Sequence, residues 1–420
     1  MKVNIMPSSI SGSIRAIPSK SFAHRQLICS ALSNQKTEIE CSRISEDIKA
    51  TIRCLSSLGA SIKYENGIIH VTPIVSPNPK AILDCGESGS TYRFLVPVIA
   101  ALGIKASFLL RGRLSKRPME PLWEVLEKHG VTISGKGEEK VSLSGKLSGG
   151  IFKIQGDVSS QFISGLLMAL PLLEENSVIE VIGTLESASY IDITIDVLKS
   201  FGISTEKRET SIRLFGKGKY TTPGNLVTEG DWSNSAFWLC GAAVGGRSLT
   251  CSGLDISSSQ GDREIVTVLR NMGADIECKD NSVSIKAASL RSVTIDAGNI
   301  PDLVPAIALT ACAADGETEI LNAGRLRIKE SDRLFTVANT LRKLGADIEE
   351  REASLLIRGG KLLKGGCVES HGDHRIVMMA ALATLMSENS ITIEGADAVN
   401  KSYPGFFDDF AYLGAEIRKE

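Results

Sequence analysis

Hydrophobic and polar residues repeat one pattern six times along the chain. Each copy is the last turn of an amphipathic helix, a glycine, and then a strand of alternating residues, as in LSSLGASI and LRKLGADI. The glycines are Gly59, Gly130, Gly202, Gly273, Gly345 and Gly414, spaced by 71, 72, 71, 72 and 69 residues. Glycine suits this place because it tolerates the left-handed conformation that ends a helix. The near-constant spacing predicts six small α/β units.

A polar turn that contains glycine follows each of the first five helix ends, 25 to 28 residues later. These turns are CGESGST, GDVSSQ, EGDWSNS, AGNIPD and HGDHR. Each leads into an apolar run typical of a buried helix, and serine is a favoured N-cap residue. The sixth unit lacks this half, but counting on through the N-terminus places Ser19, in IPSKSFAHR, at the same offset. We therefore expect the two ends of the chain to meet in one domain.

Six units divide naturally into two lobes of three. We expect a first lobe over residues 19–228 and a second over 1–18 plus 229–420. The chain would then cross between lobes near Pro18 and near Thr228. Two crossings without a flexible linker predict a hinge and a cleft that closes on a ligand.

Composition narrows the class of protein. A chain of 420 residues with 43% hydrophobic and 23% charged residues is typical of a soluble globular protein of two or three domains. A net charge of −2 gives no general attraction for nucleic acid. The longest apolar run, near Phe94–Ile104, is too short to span a bilayer, and the first residues do not resemble a signal peptide. Nine cysteines without a CxxC motif favour reduced thiols in a cytoplasmic protein.

Basic, hydroxyl and carboxylate side chains gather in the polar turns. Helix N-termini attract phosphate and carboxylate because their free N–H groups and positive dipole ends point outward. Taken singly, each of these residues also fits a helix cap or a solvated charge, and Asp302 fits either an N-cap or a general base. Their coincidence at one repeated position predicts an anion site. The pair His371 and His374 has no third ligand nearby, so we expect no metal.

The motifs SKSFAHR, GESGSTYR, KRP, GDVSSQ, SYIDIT, KESDR, GDHR and NKSYPGFF carry a specific resemblance. In order and spacing they are similar to the 5-enolpyruvylshikimate-3-phosphate (EPSP) synthase family, over essentially the whole chain. The resemblance implies an inside-out α/β barrel repeated twice, with three βαβαββ units per lobe. It also implies transfer of the enolpyruvyl group of phosphoenolpyruvate to the 5-hydroxyl of shikimate 3-phosphate, with release of phosphate. That reaction belongs to chorismate and aromatic amino-acid biosynthesis, and the resemblance implies a monomer that needs no cofactor.

The resemblance also implies a role for each matching residue. Residues expected at shikimate 3-phosphate are Lys20, Ser21, Arg25, Ser159, Ser160, Gln161, Ser187, Tyr190, Asp302 and Lys329. Those expected at phosphoenolpyruvate are Lys20, Gly89, Arg117, Gln161, Arg333, Arg375 and Lys401. The catalytic set is Asp302 as the base on the 5-hydroxyl, Glu330 at the methylene proton, and Lys20. Two mutually repelling anions require such a collection of cations.

Two positions depart from the family pattern, and rival functions stay open. Glu87 and Arg325 stand where many or some members have asparagine, so both are left out of the expected site. One rival is the sister transferase that acts on UDP-N-acetylglucosamine, which uses a loop cysteine as its acid. No cysteine lies near Arg117 here. The other rival is a non-catalytic protein that binds anions without turnover.

Overall fold

Helices and strands alternate along the chain in the order that the repeats predict. The structure, a computed structural model, describes residues 1–245, 247–286 and 288–419. The helices are α1 Lys20–Ala31, α2 Glu46–Leu58, α3 Gly89–Leu102, α4 Glu120–Lys128, α5 Ser160–Ala169, α6 Ser189–Ser200, α7 Trp232–Gly245, α8 Ile265–Asn271, α9 Val304–Ala313, α10 Arg333–Lys343, α11 His374–Leu382 and α12 Phe406–Tyr412. The strands are β1 Lys2–Ile5, β2 Gly12–Arg15, β3 Thr37–Glu40, β4 Ser61–Glu65, β5 Ile68–Thr72, β6 Lys80–Gly86, β7 Lys105–Leu110, β8 Val131–Ser134, β9 Lys140–Gly145, β10 Gly150–Gln155, β11 Ser177–Ile182, β12 Thr205–Lys207, β13 Ser211–Leu214, β14 Asn225–Val227, β15 Leu249–Ser252, β16 Asp275–Lys279, β17 Ser282–Lys286, β18 Thr294–Asp296, β19 Glu317–Leu321, β20 Asp347–Glu350, β21 Leu355–Arg358, β22 Gly366–Glu369, β23 Ile391–Glu394 and β24 Ile417–Lys419.

The repeated glycines end helices, as predicted. All six have positive φ, from 75° at Gly202 to 120° at Gly414. A strand follows each of them, namely β4, β8, β12, β16, β20 and β24. A side chain with a Cβ is strained in this conformation, so glycine sets where each helix stops.

The chain forms two compact units, one of Pro18–Thr228 and one of Met1–Ile17 with Glu229–Glu420. Each unit contains three four-stranded sheets. The sheet orders are β14-β3-β5-β4, β6-β7-β9-β8 and β10-β11-β13-β12 in the first unit, and β16-β17-β15-β2, β18-β19-β21-β20 and β22-β23-β1-β24 in the second. The six sheets share one pattern: a parallel pair at one edge and antiparallel pairing beyond it. A hinge at the two crossings stays a prediction.

Two strands complete their sheets across a large sequence separation. Strand β14 pairs in parallel with β3, although it lies near residue 226 and β3 near residue 39. In the same way β2 pairs with β15, more than 230 residues later. Each therefore supplies the parallel edge strand of a sheet whose other strands come from a distant part of the sequence.

The sheets enclose helices that are apolar on nearly every side. In α3 the residues Tyr92–Ala101 are all buried, and α5, α7, α9 and α11 are buried to a similar extent. Helices buried all round belong in a core, whereas α2 and α4 are amphipathic and cover the sheets from one side. Each unit has its own hydrophobic core. This is the inside-out α/β arrangement that the resemblance implies.

No helix among the described residues combines the length and apolarity needed to cross a membrane.

Candidate active site

Asp302 lies among three cations in the second unit. It stands in a 3-10 turn, Pro301–Leu303, directly before α9. Its Oδ1 is 2.8 Å from Arg333 Nη1 and 3.6 Å from Lys329 Nζ, and its Oδ2 is 3.1 Å from Arg375 Nη2. Arg375 also donates to the Asp302 carbonyl oxygen at 3.1 Å. Three cations from distant parts of the sequence thus converge on one carboxylate.

Arg333 opens α10 and is held by three carboxylates. It donates to Asp302, to Glu330, and to both oxygens of Asp373 at 2.9 and 3.2 Å. Asp373 is fully buried, caps α11 by accepting from Arg375 N, and also accepts from Ser331 Oγ. Burial of a charge is tolerated only with such pairing. The guanidinium of Arg333 is therefore fixed in place before any substrate arrives.

The pKa values of Asp302 and Lys329 both lie below their ordinary values. Burial acts to raise the pKa of Asp302, but Arg375, Lys329 and Arg333 outweigh it and hold the pKa well below its ordinary range. Burial lowers the pKa of Lys329 to about 8, with Arg333 and Arg325 acting in the same direction. Asp302 is therefore ionised at neutral pH, and Lys329 titrates close to physiological pH.

Lys401 lies beside the polar turn before α11. Its Nζ donates to the carbonyl oxygen of Gly372 at 2.7 Å. Gly372 precedes Asp373, the partner of Arg333, so Lys401 belongs to the same neighbourhood as the Asp302 cluster. All the residues predicted for this site in the second unit, Asp302, Lys329, Glu330, Arg333, Arg375 and Lys401, are thereby connected.

In the first unit, most residues that the sequence predicts for the site lie at or near the N-termini of helices. Ser88 caps α3 by accepting from Thr91 N, and Ser159 caps α5 by accepting from Gln161 N. Ser19 precedes α1 but makes no capping bond through its side chain. Serine caps leave these helix starts without a built-in negative charge, so their N–H groups and dipole ends suit a bound anion.

Lys20, the first residue of α1, pairs with a carboxylate that the sequence did not single out. Its Nζ is 2.8 Å from Asp47 Oδ2, and both side chains are largely buried. Asp47 lies in the first turn of α2. This pair orients the ammonium group.

Arg25 is almost entirely occupied by protein atoms. It donates to Thr194 Oγ1, to the Ser21 carbonyl oxygen, and through Nη2 to Ser164 Oγ and the Tyr190 carbonyl oxygen. A guanidinium has five N–H groups, so these four bonds leave one N–H on Nη1 without a partner among the described residues. Burial lowers the pKa of Arg25 to about 9, and the side chain remains charged at neutral pH.

Gly89 and Arg117 are in direct contact. A Cβ built on Gly89 would lie 2.8 Å from Arg117 Nη1. The guanidinium therefore lies over the backbone at the start of α3, where it adds a full positive charge to the N–H groups of that helix. Any side chain at position 89 would displace it.

Gln161 is held at both ends of its amide. Its Oε1 accepts from Arg93 Nη1 at 2.8 Å, and its Nε2 donates to Ser90 Oγ at 2.9 Å. Arg93 is 4% exposed and lies over the ring of Phe162. These contacts tie the starts of α3 and α5 together.

Ser187 lies in the turn before α6, and Tyr190 is the second residue of that helix. Ser187 has a φ of 54°, which is uncommon for serine, and strain of this kind concentrates at functional sites. The Tyr190 carbonyl oxygen accepts from both Arg25 and Thr194. The turn is therefore joined to α1.

The sequence missed four residues of these clusters: three carboxylates that pair with or lie near cations, and one further arginine. Asp47, Arg93, Asp373 and Asp262 all lie in or beside the clusters. Asp262 is buried in the turn SSQGDRE, and burial raises its pKa to about 7, with Asp302 adding to the rise. Two motifs offered a signal, because GDHR contains Asp373 and GESGSTYR contains Arg93. Among the described residues, no group of three His, Cys, Asp or Glu side chains is arranged to hold a metal ion.

Comparison with known proteins decides the family. The family model EPSP synthase (3-phosphoshikimate 1-carboxyvinyltransferase) matches residues 5–410. The chain belongs to this family. It is 43% identical over 423 residues to a 3-phosphoshikimate 1-carboxyvinyltransferase of Clostridium perfringens, with 100% of each chain covered. It is 40% identical to a protein of the same name from Clostridioides difficile, covering 99% of this chain and 98% of the relative.

Solved structures agree with that assignment. EPSP synthase from Acinetobacter baumannii superposes with a TM-score of 0.84 at 27% identity, over 100% of both chains. The enolpyruvyl transferase NikO from Streptomyces tendae has a TM-score of 0.82 at 17% identity and covers 99% of this chain and 98% of its own. This second likeness concerns the fold alone.

Proposed function

We propose that the two groups of residues described above carry out the reaction of the family on this chain. The 1-carboxyvinyl group of phosphoenolpyruvate is transferred to the 5-hydroxyl of shikimate 3-phosphate, and phosphate is released. The product is 5-enolpyruvylshikimate 3-phosphate, an intermediate of aromatic amino-acid biosynthesis. The observation that carries the proposal is the carboxylate of Asp302 fixed among Arg333, Arg375 and Lys329.

The first unit binds shikimate 3-phosphate. Ser159, Ser160 and Ser187 offer hydroxyl groups at the starts of α5 and α6 to the phosphate, which the N–H groups of α5 also attract. The remaining N–H of Arg25, with Ser21, is directed to the carboxylate of this substrate. The residues that contact its ring are Gln161 and Tyr190.

Basic residues neutralise phosphoenolpyruvate. Arg333 and Arg375 are buried and already fixed by carboxylates, so little reorganisation is needed when an anion replaces part of that pairing. The other residues assigned to phosphoenolpyruvate are Lys20, Gly89, Arg117, Gln161 and Lys401.

Phosphoenolpyruvate itself makes Asp302 a stronger base. Before binding, the three cations hold the pKa of Asp302 well below its ordinary range. An anion that draws on Arg333 and Arg375 weakens this effect, so the pKa of Asp302 rises toward the range in which a carboxylate accepts a proton readily. Lys329 also contacts the shikimate hydroxyls and orients them.

The reaction then proceeds by addition and elimination. Glu330 delivers a proton to the methylene carbon, the 5-hydroxyl oxygen bonds to the neighbouring carbon, and Asp302 takes the hydroxyl proton. Glu330 takes a proton back from the new methyl group, which reforms the double bond as the carbon–oxygen bond to the phosphate breaks, and the released phosphate takes up the proton held by Asp302. Lys20 stabilises the negative charge that develops on the phosphate.

Release of inorganic phosphate tests the assignment. The purified chain is mixed with phosphoenolpyruvate and shikimate 3-phosphate, and in parallel with phosphoenolpyruvate and UDP-N-acetylglucosamine. We expect phosphate only in the first mixture. Release only with the nucleotide sugar would indicate the sister enzyme, and binding without release in either mixture would indicate a non-catalytic protein.

Replacing Arg375 by alanine tests the phosphoenolpyruvate site. We expect Arg375→Ala to raise the KM for phosphoenolpyruvate, because loss of one partner of a buried ion pair costs about 3–5 kcal/mol. Arg351→Ala is the control, since Arg351 is exposed and pairs only with surface carboxylates among the contacts described. Equal KM values for the two variants would contradict the site.

We also propose a cytoplasmic location. All nine cysteines are free, and most are buried, as suits a reducing compartment. That the protein acts as a monomer and binds neither nucleic acid nor membrane stays a prediction from sequence.

A further inference from the structure

Four buried side chains form a continuous hydrogen-bonded chain across three helices of the first unit. His24 Nδ1 lies 2.7 Å from Thr51 Oγ1, which lies 2.6 Å from Thr91 Oγ1, which lies 2.7 Å from Ser88 Oγ. None of the four residues is more than 1% exposed. We call these residues the hydroxyl chain. It links α1 through α2 to the N-cap of α3.

The hydroxyl chain has a preferred direction. Burial, with the charges of Lys20 and Arg25, lowers the pKa of His24 well below its ordinary range, so the ring is neutral and carries one N–H. Its Nε2 is buried and makes no hydrogen bond with any described residue. A buried N–H without a partner costs more than a bare nitrogen, so the proton belongs on Nδ1 and is donated to Thr51. Thr51 then donates to Thr91, whose own hydroxyl proton can reach Ser88 Oγ or the Asp47 carbonyl oxygen, 3.4 Å away.

On each of the three helices, a proposed site residue or the partner of one lies close to the residue that belongs to the hydroxyl chain. Lys20 is one turn before His24 on α1, and Asp47, which pairs with Lys20, is one turn before Thr51 on α2. Gly89 directly follows Ser88, and Arg117 lies over it. The hydroxyl chain therefore sets the spacing between the Lys20 ammonium group and the Gly89–Arg117 contact.

We infer that His24, Thr51 and Thr91 are positioning residues for phosphoenolpyruvate. They touch no reacting atom in the proposed reaction, but they hold the three helix starts at the separation at which Lys20 and Arg117 can bind one anion. The inference rests on the proposed function, which assigns Lys20, Gly89 and Arg117 to that substrate.

Threonine-to-valine substitutions test the inference, because they remove a hydroxyl group and keep the shape of the side chain. In Thr51→Val and Thr91→Val we expect the KM for phosphoenolpyruvate to rise about tenfold, since small misplacements of binding groups are costly. The KM for shikimate 3-phosphate should rise clearly less, because Lys20 also belongs to that site but the serines that hold its phosphate lie outside the hydroxyl chain. Thr51→Ser keeps the hydroxyl group and should restore the KM.

Thr384→Val is the matched control. Thr384 is equally buried and donates to the Ala381 carbonyl oxygen at 2.6 Å, far along the sequence from the hydroxyl chain. We expect it to lower the melting temperature without changing either KM. If Thr51→Val does not fold, Thr91→Ala is measured in its place.

Two outcomes would overturn the inference. One is an unchanged KM for phosphoenolpyruvate in both valine variants; the other is an equal rise in the KM for both substrates. Arg117→Ala, measured alongside, separates the two proposals. If Arg117→Ala leaves the KM for phosphoenolpyruvate unchanged, the proposed site is wrong. If it raises that KM and the valine variants do not, only the positioning role fails.

Discussion

At the residue scale, the sequence pointed to charges and the structure supplied their pairing. The motif KESDR places Lys329, Glu330 and Arg333 together, and that much is local. Nothing in the sequence pairs Arg333 with Asp373, 40 residues away, or Lys20 with Asp47. Ion pairs between distant residues depend on how helices pack, which single-residue preferences do not determine.

The first prediction at this scale concerns the role of Asp302 as the base. We expect Asp302→Asn to lower kcat by at least about a hundredfold and to change the KM for phosphoenolpyruvate far less, because the amide cannot accept the hydroxyl proton. Steady-state kinetics measure both constants. Asp296→Asn is the control, since Asp296 is an exposed acid at the end of β18. A large change in KM with kcat intact would contradict the role as base.

Lys329 carries a prediction about pH. Its pKa is lowered to about 8, so the ammonium group is charged below that pH and neutral above it. We therefore expect kcat/KM to fall as pH rises through about 8. Lys329→Arg should move this decline to higher pH, because a guanidinium group keeps its charge.

A pH–rate profile from pH 6 to about 10 checks this expectation. Lys343→Arg, an exposed lysine on α10, is the control and should leave the profile unchanged. Identical profiles for Lys329→Arg and the unsubstituted chain would show that the decline belongs to another group.

At the element scale, helix starts differ between the two units. In the first unit, Ser88 and Ser159 cap α3 and α5. In the second, carboxylates occupy this place: Asp231 accepts from Asn234 N, and Asp373 caps α11. A serine cap leaves the positive end of the helix available to a bound anion, whereas an aspartate neutralises it. The serine and aspartate residues are visible in the sequence of the polar turns. That they cap helices became clear only when the structure showed where the helices begin.

The close packing of α5 against α3 predicts that a side chain at position 165 would destabilise the protein. Gly165 on α5 faces α3 so closely that a Cβ would lie 2.5 Å from the Arg93 carbonyl oxygen and 2.8 Å from Pro97 Cγ. We expect Gly165→Ala to reduce the free energy of unfolding by about 1–3 kcal/mol, because backbone cannot yield as a flexible side chain can. Denaturant unfolding measures the change.

Gly241 on α7 is the matched control. A Cβ there would meet only methyl groups of Leu382, Leu385 and Ile10, at 3.0 Å or more. Gly241→Ala should therefore cost much less. Equal losses for the two glycines would mean that close packing at α3 and α5 is not what requires Gly165.

At the scale of the whole molecule, each unit closes its own sheets. All three sheets of the unit Pro18–Thr228 are made from strands within that range. The other unit needs its N-terminal segment, because β1 lies between β23 and β24, and β2 completes the sheet of β15. The repeat count predicted that the ends of the chain meet in one domain, and in the structure β1 pairs with β24.

Two fragments test this organisation. We expect residues 18–228 to fold alone, since no strand or core residue of that unit lies outside the range. Residues 229–420 should not fold without residues 1–17, because β24 would lose β1, its one partner among the described strands, and β23 would lose a neighbour. Circular dichroism melts report whether each fragment unfolds cooperatively. A cooperative melt of 229–420 alone would contradict the assigned role of β1.

By itself, the sequence determined the six units, their helix ends and the turns that carry the chemistry. These features are local: glycine alone adopts positive φ at little cost, and apolar periodicity shows where a helix or strand is buried. Only the tertiary structure decided that β2 and β14 complete sheets far away in the chain, that three cations converge on Asp302, and that a buried chain of hydroxyl groups joins three helices. Each of these pairings brings together groups separated by tens to hundreds of residues, and the packing of whole elements selects them.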